Sequence, residues 1–237
     1  MQILDLTHGV PPQNVLHGAL VLAKSLEFLP VGVHLAVVDP GVGTARRPLV
    51  LEDGEGRLYV GPDNGLLVPA AEAGGGIAAA HELANPRYAL ERVSRTFHGR
   101  DLFAPAAAHL ALGVPAAELG PPLDPEVLVR ITIPEPEVSA TRVGATTLSV
   151  DRFGNVQLNV GRDVLGAPGT RVALDLPGGR RPAVVARTFA DVPHGELVVF
   201  EDSFGNVSLA VSGGSAAAAL GLTSGERVWI EIDSRRA

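Results

Sequence analysis

Polar residues that could form part of a ligand site cluster in a loop after an apolar run. Asp39 comes directly after residues 33–38, and Arg46 lies seven residues further along the chain. In open α/β sheets, ligands bind beyond the carboxyl ends of the strands, and Gly41 and Gly43 allow the backbone to turn sharply beside a ligand. An Asp–Arg pair that only stabilises the loop explains the same residues, so this loop alone leaves both interpretations open.

A second polar segment, residues 95–105, carries His98 directly before a glycine and a predicted helix. A histidine there can accept or share a proton near neutral pH, although a lone histidine is also a common structural residue. Asp101 is better explained as the N-cap of the predicted helix than as a base. His98, Asp101 and His109 lack the spacing of the usual zinc motifs, so metal catalysis is a distant alternative.

Two further segments have the composition of turns. Asp63 and Asn64 stand among glycine and proline in residues 61–67, which by itself indicates only a turn. The string DRFGNVQL at residues 151–158 is echoed by DSFGNVSL at residues 202–209. Either these are two similar turns between strands, or both turns present polar groups to one ligand, and the sequence favours neither.

The elements that must position these residues differ between the two parts of the chain. Apolar residues at helical spacing predict a helix over residues 13–28, and the continuous apolar run 33–38 predicts a strand buried on both faces. Alternation and a glycine-containing turn predict a hairpin over residues 48–60. The first part therefore belongs to the α/β class, with predicted strands at 2–6, 33–38, 48–51 and 57–60 and predicted helices at 13–28 and 101–111.

Residues 131–138, with two prolines, resemble a linker. Short strands punctuated by turn residues follow it, which indicates a small all-β barrel or sandwich. The predicted strands are 146–150, 155–159, 171–174, 182–186, 196–200, 206–211 and 227–232.

Composition limits the class of protein. The 237 residues are 46% hydrophobic and 19% charged, which suits a folded chain of one large or two small domains. The net charge of −7 does not favour a nucleic-acid partner, and the absence of cysteine excludes thiol catalysis and cysteine-bound metals. No signal peptide or membrane span is predicted, since the apolar stretch 16–29 contains charged residues, so we expect a cytoplasmic protein.

Five segments, taken together, resemble the family of SAM hydroxide adenosyltransferases, also called adenosine-forming S-adenosylmethionine (SAM) hydrolases. This family is related to the SAM-dependent fluorinases and chlorinases. Each segment alone is weakly specific, but the five occur in order over nearly the whole chain. They are Leu4-Asp-Leu-Thr-His-Gly-Val-Pro-Pro-Gln, Val37-Val-Asp-Pro-Gly-Val-Gly-Thr, Val60-Gly-Pro-Asp-Asn-Gly-Leu-Leu, Thr96-Phe-His-Gly-Arg-Asp-Leu-Phe-Ala-Pro and Asp151-Arg-Phe-Gly-Asn.

The resemblance implies a fold and an assembly. An α/β N-terminal domain with a mixed sheet, residues 1–130, is expected before a C-terminal all-β barrel, residues 138–237. A homotrimer is expected to hold the ligand between one subunit's N-terminal domain and a neighbour's C-terminal domain. The family's first strand, with a Thr-Asp-Phe-Gly motif whose Asp binds the ribose hydroxyls, has no counterpart in this sequence, so we expect that ribose contact to be missing from it.

The resemblance also implies a catalytic triad, which Asp39, Arg46 and His98 match. The sulfonium of SAM is already a good leaving group, so the reaction needs only a nucleophile held in line with ribose C5′ and partly stripped of water. Asp39 and Arg46 can orient a water molecule, and His98 can share or accept its proton. Halide-using relatives have less charged residues at these positions, so the triad favours water or hydroxide.

Other positions match the family's substrate-binding residues. A carboxylate suits the ammonium of the methionine end, and adenine suits a flat apolar surface beside an amide that both donates and accepts. Phe204 departs from the pattern, since halogenating relatives have an arginine there. The matching residues are Asp151 and Ser203 for the methionine end, Phe153 and Asn155 for the adenine, and Phe189 as an aromatic cover for the base.

The sequence therefore predicts hydrolysis of SAM to adenosine and L-methionine by an activated water at ribose C5′, with no metal and no cofactor. A non-catalytic protein that binds adenosine or SAM is one alternative. A SAM-dependent halogenase is another, which the charged triad disfavours.

Overall fold

A computed structural model describes residues 2–176 and 178–232. The chain divides into two compact units, residues 1–131 and residues 132–237. Within the described residues, no helix has both the length and the apolar character needed to cross a membrane.

The N-terminal unit is built around a four-stranded mixed sheet. Its elements are α1 (Val15–Ser25), β1 (Val33–Leu35), β2 (Pro48–Asp53), β3 (Leu58–Pro62), α2 (Val68–Ala73), β4 (Ile77–Glu82) and α3 (Ala104–Ala111). The strand order is β1-β3-β2-β4, with β1 parallel to β3 and the other two pairs antiparallel. The mixed sheet is therefore confirmed, as is the predicted hairpin of β2 and β3.

Both faces of this sheet are covered. Successive side chains of a strand point to opposite faces, and in β2 the side chains of Leu49 and Leu51 pack in one cluster while Val50 packs in another. The first cluster includes Leu22 of α1 and residues of α2, and the second includes Leu110 of α3. The sheet is thus a layer between helices, buried on both of its faces.

Two strand predictions in this unit are wrong. Residues 2–6 form no strand, because these exposed residues pair with no other described segment and an apolar run alone supplies no ladder. Of the predicted strand 33–38, only Val33–Leu35 forms β1. Leu35 and Val37 are 46% and 42% exposed, since β1 lies at the edge of the sheet instead of at its centre.

The C-terminal unit contains a closed seven-stranded barrel. The strands of the unit are β5 (Glu137–Val138), which lies outside the barrel, and the barrel strands β6 (Arg142–Val150), β7 (Val156–Gly161), β8 (Arg171–Leu176), β9 (Gly179–Val185), β10 (Leu197–Glu201), β11 (Asn206–Val211) and β12 (Arg227–Ile232). A short helix, α4 (Ala216–Leu220), precedes β12. The strand β12 pairs with both β6 and β8 and so closes the ring, while β5 adds to β6 outside it. All seven predicted strands are confirmed, and closure decides for a barrel against a sandwich.

The barrel interior is filled by aliphatic side chains. Leu158, Leu174, Leu209 and Ile230 are fully buried and belong to one cluster. They alternate along their strands with outward-facing residues, as a barrel requires. The turns between β6 and β7 and between β10 and β11 therefore connect strands of a packed barrel.

Candidate functional site

The structure brings Asp39, Arg46 and His98 together. Arg46 Nε donates to Asp39 Oδ1 at 3.1 Å, and Arg46 Nη2 donates to Asp39 Oδ2. The same Nη2 lies 3.1 Å from His98 Nδ1. Arg46 is thus the centre of the triad, with the carboxylate on one side of its guanidinium and the imidazole on the other.

The protonation of neutral His98 follows from this contact. A guanidinium nitrogen only donates, so His98 Nδ1 must accept the Arg46 hydrogen bond. The imidazole's own proton then lies on Nε2. In this arrangement Nε2–H is free to donate to a bound oxygen, and Nδ1 can take a proton only by giving up its contact with Arg46.

Two side chains of the triad are largely removed from solvent, and Arg46 leaves one donor unused. The side chains of Arg46 and Asp39 are each 6% exposed. Arg46 Nη1 is buried and has no hydrogen-bond partner among the described residues. Because a buried N–H without an acceptor is unfavourable, this corner of the guanidinium suits a water molecule or another small acceptor.

Two loops of the N-terminal unit carry the triad, and they meet at Gly43. Asp39 and Arg46 lie between β1 and β2, and His98 directly precedes a π-helical turn at Gly99–Phe103. Gly43 has a φ of +80°, and a Cβ there would lie 2.8 Å from the carbonyl oxygen of Arg95. Glycine is therefore needed both for the turn and for the close approach of the second loop.

A cavity of about 690 Å³ lies beside the triad within the N-terminal unit. Asp39 is among its lining residues, with residues from the segments 6–13 and 35–38 and from α1. Arg46 and His98 do not line it. Asp39 therefore stands between this mainly apolar cavity and the guanidinium.

In the C-terminal unit, Asp151, Phe153 and Asn155 lie in the turn between β6 and β7. Asp151 Oδ1 accepts from the backbone N–H groups of Phe153 and Asn155 at 2.8 and 2.9 Å. Asp151 Oδ2 accepts from the Asn155 side-chain amide at 2.8 Å. The turn leaves the Phe153 ring 63% exposed, so an apolar surface and a carboxylate face the solvent side by side.

Ser203 lies in the turn between β10 and β11, which repeats the two hydrogen bonds from backbone N–H groups. Asp202 Oδ1 accepts from the N–H groups of Phe204 and Asn206 at 2.8 and 3.0 Å. Gly154 and Gly205 have φ values of +83° and +77° at matching positions. The echo in the sequence is therefore two turns of one kind, and their use for a common ligand stays a prediction.

The two turns differ in the partners of the second carboxylate oxygen, which in Asp151 accepts from Asn155. Asp202 Oδ2 accepts from the side chains of Gln157 at 2.6 Å and Ser208 at 2.9 Å. Gln157 belongs to β7, the strand that follows the first turn, so this bond links the second turn to the first. Phe189 lies in a 3₁₀ turn after β9, 42% exposed, with its ring centre 5.0 Å from that of Phe200.

Comparison with known proteins places these units in one family. The SAM hydroxide adenosyltransferase N-terminal domain matches residues 1–120, and the C-terminal domain of the same family matches residues 145–229. An (R)-S-adenosyl-L-methionine hydrolase of Salinispora tropica is 51% identical over 229 residues, which are 97% of this chain and 86% of that protein. The chain belongs to the SAM hydroxide adenosyltransferase family.

A more distant relative and a solved structure extend this comparison. A fluorinase of Actinoplanes is 30% identical over 259 residues, covering 96% of this chain and 87% of the fluorinase. The crystal structure of an uncharacterised conserved protein from Thermotoga maritima has a TM-score of 0.86 at 37% identity, covering 97% of this chain and 89% of that one. The chain is thus more similar to the hydrolase than to the fluorinase, and its fold is one already seen in a crystal.

Asp101, in a segment that resembles the family, is not the helix cap that the sequence predicts. It is fully buried inside the π-helical turn, and α3 begins after Phe103 without a side-chain cap. The hydrogen bond from Arg100, followed by that from the Ser94 backbone N–H at 2.8 Å, lowers the pKa of Asp101. Because the helix starts with a wide turn, Asp101 holds the loop before His98 instead of the helix end.

Sequence reasoning missed Phe103, which lies in the same segment. Its fully buried ring lies beneath the triad, with the Arg46 guanidinium carbon 5.3 Å from the ring centre. The His98 ring meets it edge to face at 6.5 Å between centres. The sequence offers one indication of this role, which is that Phe103 follows His98 by five residues at the start of the predicted helix.

Proposed function

We propose that this chain hydrolyses SAM to adenosine and L-methionine by attack of a water molecule on ribose C5′, without a metal or a cofactor. One observation carries the proposal. A buried guanidinium, paired with Asp39 and His98, keeps the Nη1 donors of Arg46 free of partners within the described part of the chain. The similarity to hydrolases supports the same reaction.

The proposed step forms one bond and breaks one bond. The water oxygen, held by Arg46 Nη1 and the Nε2–H of His98, attacks C5′ in line with the sulfonium. The C5′–S bond breaks with its electron pair going to sulfur, which leaves neutral methionine thioether. The oxygen bonded to C5′ loses one proton to solvent water, while the Nε2–H of His98 keeps its hydrogen bond to that oxygen. The Asp39 carboxylate balances the guanidinium charge.

We assign substrate binding to the turns of the C-terminal unit. Asp151 Oδ2 accepts one hydrogen bond from Asn155, so it retains lone pairs for the ammonium of the methionine end. The Asn155 amide keeps its oxygen and one N–H for the adenine edge. Phe153 and Phe189 supply aromatic surface for the base, and Ser203 supplies a hydroxyl on the neighbouring turn.

Assembly and location complete the proposal. We assign a homotrimer in which one subunit supplies the triad and a neighbour supplies the turns that bind adenine and methionine. The protein is proposed to act in the cytoplasm, with SAM and adenosine as its small-molecule partners and no nucleic acid or membrane.

Chromatography of SAM incubated with the purified chain tests the reaction. Adenosine and methionine in equal amounts, at a rate that chloride and EDTA leave unchanged, are expected. Bound but intact SAM after long incubation would instead indicate a binding protein. Loss of SAM only when halide is present would indicate a halogenase, and a rate abolished by EDTA would indicate a metal hydrolase.

A further inference from the structure

Asn64 lies two residues beyond β3, in the loop whose composition alone indicates an ordinary turn. Its amide Nδ2 donates to the carbonyl oxygen of Val38 at 2.8 Å. Its Oδ1 accepts from the backbone N–H of Leu66 at 3.2 Å. The Val38 carbonyl belongs to the peptide group that joins Val38 to Asp39. One side chain therefore ties the loop after β3 to the backbone of a triad residue.

The pairing of β1 with β3 explains why a side chain is needed there. Beyond β1 the parallel ladder continues with a bond from the Ala36 N–H to the Val60 carbonyl at 3.0 Å. In a parallel pair the next donors would be the backbone N–H groups of residues 62 and 64. Pro62 has no N–H, and the N–H of Asn64 turns back to the Pro62 carbonyl at 3.1 Å. The Asn64 amide supplies the donor that the ladder lacks.

This contact bears directly on the placement of the Asp39 carboxylate. Both oxygens of that carboxylate accept from Arg46, so a rotation of the Val38–Asp39 peptide moves the guanidinium as well. The Asp39 carbonyl accepts from the Val42 N–H at 3.3 Å, which closes the turn on the other side. The Asn64 bond is thus the constraint on the side where β1 ends. A displacement of about 1 Å in a reacting constellation is enough to cost about 100-fold in rate.

We infer that Asn64 is a positioning residue for the triad: it fixes the Val38–Asp39 peptide and, through Asp39, the direction in which Arg46 presents its free donors. The inference rests on the proposed hydrolysis for its kinetic consequence. Asn64 does not touch the substrate in this scheme, so its loss acts on kcat and leaves KM for SAM nearly unchanged.

Asn85 provides a matched control in the same unit. Its Nδ2 donates to the Glu118 carbonyl at 2.7 Å, and its Oδ1 accepts from the Arg87 N–H at 3.1 Å. Asn85 thus makes hydrogen bonds of the same two kinds as Asn64, but neither goes to a residue of the loop 39–46 or to His98. We expect Asn64→Ala to lower kcat by about 10- to 100-fold. Asn85→Ala should lower the melting temperature by a similar amount and keep the wild-type kcat.

The conservative variant Asn64→Asp tests the role through the pH dependence of kcat, which a purely structural role of Asn64 would not change. A carboxyl group can donate to the Val38 carbonyl only while it is protonated. The ratio of the variant's kcat to the wild-type kcat should therefore rise as pH is lowered toward the ordinary aspartate pKa of about 4. The same ratio for Asn64→Ala should stay flat, and a flat ratio for both variants would contradict the inference.

Hydrogen exchange separates this inference from the proposed function. Backbone amides of residues 36–46 should exchange faster in Asn64→Ala than in the wild type and in Asn85→Ala. Unchanged exchange in that segment, together with a wild-type kcat, would overturn the positioning role. If the wild-type chain leaves SAM intact, the proposed hydrolysis fails, and the exchange rates still decide whether Asn64 holds the Asp39 loop.

Discussion

Arg46 can serve Asp39, His98 and a water molecule together because a guanidinium presents several donors from one rigid plane. Its Nε and Nη2 are used by Asp39 and His98, and Nη1 is the donor left over. A lysine ammonium carries the same charge but cannot reproduce this fork. At the scale of single residues, the triad therefore depends on the shape of the arginine as much as on its charge.

We predict that Arg46→Lys lowers kcat by about 100- to 1,000-fold, the range seen when a preorganised donor is lost. The control is Arg57→Lys, since Arg57 is also a buried arginine of the N-terminal unit and pairs with Glu55 and Asp53. Steady-state kinetics should show the loss for Arg46 alone. If Arg46→Lys kept the same kcat as Arg57→Lys and the wild type, Arg46 would have no role in the reaction.

Asp151 stabilises its turn through hydrogen bonds to Oδ1, and the charge of its carboxylate remains available for the ammonium of SAM. Asp151→Asn retains an Oδ1 acceptor for the N–H groups of Phe153 and Asn155, so the turn should survive. Loss of the charge should raise KM for SAM by about 10- to 100-fold, which corresponds to a charge-assisted hydrogen bond. Adenosine has no ammonium group, so its dissociation constant, measured by calorimetry, should rise much less, through the altered contact between residue 151 and the Asn155 amide alone. Parallel weakening of both ligands would indicate a damaged turn.

At the scale of elements, the two triad loops depend on their contact at Gly43. Asp39 and Arg46 are only seven residues apart, and their proximity could be expected from the sequence. His98 lies 52 residues beyond Arg46, and only the packing of α3 against the sheet brings it near. The hydrophobic periodicity predicts such a helix, but it does not predict the position of the preceding loop, which carries His98.

Substitution of Gly43 tests the contact between the loops. Gly43→Ala should cost about 1–3 kcal/mol from its positive φ and should also push the Arg95 backbone away, so that kcat falls. Gly56 is the matched control, because its φ is +82° and a Cβ there would meet nothing within 4 Å. Gly56→Ala should lose similar stability in thermal unfolding and keep its kcat. If both variants keep full activity, the loops do not need this contact.

Predictions from the sequence succeeded where a local pattern decides the structure. Each barrel strand was found because alternation and turn residues are local signals. Residues 2–6 and 36–38 were wrongly predicted as strand, because whether an apolar run becomes a strand depends on a partner elsewhere in the chain. Asp101 was placed at a helix cap because a π-helical turn leaves no signal in residue types. The role of Asn64 was invisible for a similar reason, since only the register of β1 and β3 shows that the Val38 carbonyl lacks a backbone donor from the described residues.

At the scale of the whole molecule, the proposal joins two kinds of residue that lie in different units. The triad belongs to the N-terminal unit, and the turns assigned to adenine and methionine belong to the C-terminal unit. If a neighbouring subunit supplies the turns, each complete site needs one sound N-terminal unit and one sound C-terminal unit from two chains. This arrangement has a consequence for mixtures of variants.

We predict that His98→Ala and Asp151→Asn restore each other's activity when they are unfolded and refolded together. In mixed trimers, some sites combine a wild-type triad with a wild-type turn, and these sites turn over at the normal rate. Light scattering on the refolded sample should give the mass of a trimer. No gain in activity over the separate variants would contradict a site shared between subunits.

The origin of the oxygen in the product tests the central claim most directly. SAM is incubated with the wild-type chain in ¹⁸O-labelled water, and both products are analysed by mass spectrometry. The account predicts that adenosine carries one labelled oxygen, at its 5′-hydroxyl, and that methionine carries none. Unlabelled adenosine, or a 5′-halogenated nucleoside in its place when chloride is present, would contradict attack of water on ribose C5′.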